Sequence, residues 1–202
     1  MACSTLNSGI QICLCTTSMG GIKTVYLANA DDVDVAGVEA SIDSDGRITS
    51  IPLITGTGHY KFFKFDVRKN TGSMTSTLNV DDNTGSSVST DLVLDWREME
   101  YKKRKAMSAF LMGEFVALVE DANHHWWFLG LNLPMTASAG TGETGTSNTD
   151  ANHYTITLND VSNDWPHEIN EGTGAGKVDL NPTTSTLFET VSGDPCAQNQ
   201  GQ

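Results

Sequence analysis

The sequence predicts a mainly β fold, a β-sandwich or barrel with one flanking helix, and three observations predict it. Apolar and polar residues alternate with period two in several short runs. Turn formers such as Asp45-Gly46 and Asp82-Asn83-Thr84-Gly85 punctuate those runs. Only one stretch, about residues 97–112, carries apolar residues at helical spacing. The chain has 202 residues, 38% of them hydrophobic, which suits one domain of roughly 150 or more residues with loops and arms.

The elements follow in order. Gly9 to Thr16 alternates and reads as a first strand. Met19-Gly20-Gly21 turns into the strand Ile22 to Ala28, and Asp31, Asp32 and Asp34 mark an acidic loop. Val38 to Ile42 and Arg47 to Ile54 flank Asp43-Ser44-Asp45-Gly46, a hairpin signal because Asp-Gly tolerates positive φ. His59 to Val67 is a strand with aromatics on both faces, interrupted by Lys61 and Lys64, which points to partial burial.

Arg68 to Thr90 reads as a long protruding hairpin feeding a strand from Ser87 to Trp96. In the helix, Met99, Ala106, Met107, Phe110 and Leu111 form a narrow apolar stripe. Lys102, Lys103, Arg104 and Lys105 cover its solvent side, and Gly113 ends it. Phe115 to Val119 is apolar throughout and reads as a central strand. Residues 121–124 turn it into Trp126 to Leu131. Thr136 to Thr149 is a Gly/Ser/Thr loop, Asn152 to Leu158 a strand, and Val161 to Ile169 a short last strand or edge. The expected domain is residues 1–170, with 171–202 a flexible C-terminal arm that orders on a partner.

Charge constrains function. Asp and Glu outnumber Lys and Arg 25 to 12, a net charge of −13. Such a surface repels phosphate and disfavours ordinary nucleic-acid binding, yet it suits a conduit along which a polyanion slides. Cys3, Cys13, Cys15 and Cys196 fit no zinc spacing and read as reduced thiols of a cytoplasmically made protein. No apolar run reaches about 18 residues, so no membrane span is expected.

The chemical motifs fail on inspection. Gly46 aligned to a calcium loop's glycine puts Ser41 at the first ligand and Pro52 where the bidentate Glu belongs. Gly172-Thr173-Gly174-Ala175-Gly176-Lys177 resembles a phosphate loop, but Glu171 stands where the first glycine is required and Val178 replaces Ser/Thr. His124 and His125 are neighbours that a strand aims to opposite faces. No Gly-x-Ser-x-Gly elbow occurs. The expectation is therefore a protein that is not an enzyme and carries no cofactor and no metal.

Two surface features remain. Trp126-Trp127-Phe128 fits a core residue alternating with an interface residue, Trp127, better than a sugar-stacking platform. Lys102, Lys103, Arg104 and Lys105 fit an acidic surface on a neighbouring copy better than DNA.

The order of these pieces resembles the tail-tube-type structural proteins of bacteriophages, in particular those of tailed phages of Bacteroidetes-type hosts. The matching residues are Gly20-Gly21-Ile22 to Val33, Lys102 to Met112, Phe115 to Asp121, Trp126 to Gly130, and Thr144-Gly145 with Asp150 to Leu158. The family's Asn-Gly turn before the aromatic strand is Asn123-His124 here, and the C-terminal tail has no counterpart. The resemblance implies a virion protein whose six copies join their sheets into an inner barrel, with rings stacked into a tube that conducts phage DNA without specific binding. It further implies contact with other tail or capsid proteins, and the long hairpin and tail as candidates for reaching the next ring. A tail terminator, connector or capsid decoration protein would share this pattern. A carbohydrate-binding sandwich using Trp126, Trp127 and Trp165 is the rival from another class.

Overall fold

The central strand is built from the most apolar run of the chain. A computed structural model describes residues 18–54, 61–68, 70–81 and 85–189. Its strands are β1 (Ile22–Asn29), β2 (Phe63–Asp66), β3 (Ser73–Asp81), β4 (Gly85–Arg97), β5 (Phe115–Asp121), β6 (Trp126–Leu129), β7 (Thr136–Glu143), β8 (His153–Ser162) and β9 (His167–Glu168). Two helices accompany them, α1 (Val35–Ala40) and α2 (Tyr101–Phe110). The strands make two antiparallel sheets, ordered β2-β1-β5-β6-β9 and β3-β4-β8-β7. The expected sandwich with a flanking helix is what the chain forms.

The five-stranded sheet is covered on both faces. Val25 pairs with Val119, Leu27 with Ala117, and Ala117 with Leu129; all five point toward the four-stranded sheet. There they meet Leu92, Leu94, Ile156 and Leu158. Their neighbours Tyr26, Ala28, Val116, Leu118, Trp126 and Phe128 point the other way. This second face is closed by Val33, Val38, Ile48, Ile51, Phe62, Ile169, Val178, Leu180 and Phe188. Burial on both faces explains why β5 is apolar without alternation. Each fully buried Leu or Phe contributes roughly 1.5–3 kcal/mol.

That second layer revises two expectations and keeps a third. Residues 38–42 are not a strand: Asp34 accepts a hydrogen bond from Gly37 N at 3.1 Å and caps the one-and-a-half turns of α1. The 43–46 turn does form, closed by Asp43, whose Oδ1 accepts from the backbone N–H groups of Asp45 and Arg47. Residues 171–189 are not an arm: Val178, Leu180 and Phe188 are buried, and Phe62 bridges to Phe188. Spaced apolar anchors hold the segment where no periodic strand is needed. Cys3, Cys13, Cys15, Cys196, the predicted strand at 9–16 and the last residues of the predicted arm lie outside the described residues.

Two further boundaries move. The helix is shorter than 97–112, because Glu98 adopts φ 67° and Glu100 an extended conformation before the first turn. Phe110 anchors its end, 6.1 Å from Trp96 in a parallel stack and 5.1 Å from Phe115 edge-on. Leu111, expected inside, is 80% exposed. Gly113 has no positive φ to explain it; a Cβ there would lie 2.2 Å from the Phe115 ring. Finally, residues 136–143 of the supposed loop form β7, paired along β8 with a bulge between Ala137 and Ala139.

Candidate assembly surface

The four-stranded sheet turns one face to the core and one to solvent. Burial alternates along β4, with Val88, Thr90, Leu92 and Leu94 inward. The register then assigns the outward face: Asp91 pairs with Thr75 and Asn159, Val93 with Ser73 and Thr157, and Asp95 with Thr155. Thr77, Asn79, Asp81, Ser87, Ser89 and Arg97 share it from β3 and β4, and Thr136, Ala139, Thr141 and Glu143 from β7. It is a carpet of hydroxyls and amides with Asp81, Asp91, Asp95 and Glu143 against Arg97, and it has no lysine. Asn159 Nδ2 donates to both Ser89 Oγ (2.9 Å) and Asp91 Oδ1 (2.8 Å), which stitches two strands across this face.

The same sheet ends in two open edges. β3 pairs with β4 through nine consecutive positions, Ser73 to Asp81, without a register shift. Among the described residues its other side has no strand neighbour, and its sequence holds neither Lys nor Pro. β7 is the opposite edge, exposed along its whole length and likewise without Lys or Pro. Gly140 and Gly142 stand on its inward face, where a Cβ at 142 would meet the Tyr154 ring at 2.7 Å. Those glycines let α2 approach, with Met107 beside Gly140 and Met99 beside Gly142. Toward the end of β3, Leu78 and Val80 point to the inner side but are 50% and 74% exposed, since none of the described residues covers them.

The predicted interface residues fall as follows. Lys102, Arg104 and Lys105 are exposed on α2, on the core side of the four-stranded sheet rather than its polar face. Lys103 is half-buried: its Nζ donates to the Arg97 carbonyl at 2.7 Å and pairs with Glu100 at 3.3 Å. Trp127 is half-buried against the inter-sheet core, with Nε1 toward Asp121 Oδ2 at 3.4 Å. Trp126 points to the opposite face, so the two tryptophans make no common platform.

Ionisable groups inside the fold are few. Glu120 is buried and meets Lys23 Nζ at 2.5 Å and His124 Nδ1 at 3.0 Å. His125 pairs with Glu168 at 2.8 Å, and that hydrogen bond raises its pKa. Asp160 is buried between the sheets; Oδ2 accepts from Gly130 N at 2.9 Å, while Oδ1 has no partner. Burial pushes its carboxyl pKa up. Among the described residues no three His, Cys, Asp or Glu side chains group as metal ligands. Of the two open edges, β3 was legible as a strand but not as an edge, and β7 was not legible as a strand at all, because pairing order is not written in local periodicity.

Comparison with known protein families, with curated proteins and with solved structures finds no match to this chain.

Proposed function

We propose that the chain is a structural virion protein, a bacteriophage tail tube subunit whose copies join laterally through β3 and β7 into hexameric rings. The observation that carries this reading is the pair of long edges without Lys or Pro on one sheet, one of them, β3, without a bulge. Monomeric β proteins blunt such edges with lysines, prolines or very short strands. A copy's β3 set beside its neighbour's β7 satisfies both rows of backbone groups, and a closed ring leaves no edge over. Six four-stranded sheets joined in this way make a barrel of about 24 strands.

The polar face supports the same reading. Turned inward, it presents hydroxyls, amides and acids to the lumen. A phosphate backbone would find weak hydrogen bonds, net repulsion and no lysine to hold it. DNA would pass without sticking, and the basic face of α2 would sit outside, against neighbouring copies or other tail proteins.

Electron microscopy of the purified protein tests this. Rings of one diameter or short tubes are expected. A dispersed monomer at concentrations well above micromolar would contradict the proposal.

A further inference from the structure

On the core side of the four-stranded sheet, one edge carries exposed apolar side chains and the other an open apolar groove. Leu78 and Val80 follow Met74 on the inward face of β3, but they run past the inter-sheet core and stay exposed. Beside β7, a groove of about 400 Å³ separates the strand from α2, with Met107, Leu111, Gly140, Gly142 and Tyr154 among its walls. The two glycines place no side chain in it, and Leu111 on its rim is exposed.

With β4 and β8 between them, the pair and the groove can meet only from different copies. β3 and β7 run in opposite directions at the two ends of an antiparallel sheet. A neighbour's β3 therefore lies antiparallel to β7, with its inward residues on the α2 side.

The register is constrained as well. Within one copy Ala139 is level with Ser73, through Thr157 and Val93. Copies joined at that level would pair only Ser73, Met74 and Thr75 with the start of β7. Pairing the edges along their length moves Ala139 from the level of Ser73 to that of Asn79, a slip of six residues. Leu78 then faces Gly140, Ser76 faces Gly142, and Val80 lies beside the bulge at Ala137. Barrel closure asks for a similar slip. Four strands about 4.8 Å apart and tilted about 35–45° shift by roughly four to six residues per copy.

The geometry points to the groove between α2 and β7 as the seat for Leu78 and Val80 of a second copy, with Leu78 against Gly140 and Met107. This rests on the lateral joining of β3 and β7 proposed above and adds to it the side chains and the register. A strand edge of hydroxyls and glycines is free to slide, whereas an apolar pair in one groove fixes its position. Met107 suits such a seat, because its unbranched thioether adapts to the shape of what enters.

Two full-length variants test the contact. Leu78→Asp/Val80→Asp removes the apolar pair and keeps the groove; Gly140→Val fills the groove and keeps the pair. The fold tolerates both. Leu78 and Val80 are exposed, and a Cβ on Gly140 meets Thr155 O at 3.5 Å and Met107 Cε at 3.6 Å, ordinary contact distances. Each variant alone should weaken self-association at least tenfold in analytical ultracentrifugation. Mixed one to one, they should form pairs and nothing larger, because only one intact contact survives between them. Leu78→Thr/Val80→Thr, which keeps strand propensity, should weaken association likewise and separates loss of the contact from loss of β3. Self-association unchanged in either variant, or a mixture that fails to pair, overturns the contact. Rings formed by Leu78→Asp/Val80→Asp in electron microscopy would refute the contact and leave the ring reading standing. Mixed variants that pair, while the native chain forms open chains and no rings, would refute the ring and leave the contact.

Discussion

The two sheets of this protein are opposites. The five-stranded sheet is buried on both faces, and its edges are short: β2 has four residues including Lys64, and β9 has two. The four-stranded sheet is buried on one face only, and its edges are long and uncharged along most of their length. A strand edge is a row of unmet hydrogen-bond donors and acceptors. One sheet ends in short edges, and the other presents long ones, which the assembly we propose would use.

The comparison can be broken first at the scaffold. Phe188→Ala should cost about 3–5 kcal/mol, read from urea unfolding, because the ring sits against Tyr26 at 4.3 Å in the covering layer. A near-neutral result would show that residues 171–189 contribute nothing to the closed face. Leu118→Ala, at the middle of β5, should cost about 2–5 kcal/mol by the same assay.

Asp34→Ala removes the cap of α1 and should cost about 1 kcal/mol. By contrast, lysines placed on the β3 edge, Thr75→Lys and Thr77→Lys, should change monomer stability by no more than about 0.5 kcal/mol. Both side chains are exposed on the outward face, so any large effect belongs to assembly.

Asp160 sharpens the contrast through pH. Its folded pKa is raised above that of the unfolded chain, so the protonated carboxyl favours the fold. That contribution is complete below the usual carboxylate range and is lost as pH rises through the elevated value. Asp160→Asn should flatten this dependence when urea midpoints are compared at pH 4.5 and 8. An unchanged slope would mean that the buried carboxylate finds a partner on ionisation.

How much of this the sequence carried follows the same division. β5 and the β3–β4 hairpin were readable, since unbroken apolarity and strict alternation are local signals. β7 was not, because Thr136 to Glu143 has no apolar alternation and becomes a strand only through its register with β8. The covering segment at 171–189 was missed for a related reason: Val178, Leu180 and Phe188 are single anchors without a period. For α1, Asp34 with Val35 and Val38 at three-residue spacing was the available signal. Of the candidate interface, Lys102, Lys103, Arg104 and Lys105 were legible as a charged helix face, whereas the β7 edge exists only once the fold sets its register with β8.

Hydrogen exchange on the isolated chain and on the assembled particle tests the division most directly. The account predicts that assembly protects the backbone amides of Ser73–Asp81 and Thr136–Glu143 while those of β2 and β9 exchange as before. Protection gained at β2 or β9 instead, with β3 and β7 unchanged, would contradict it.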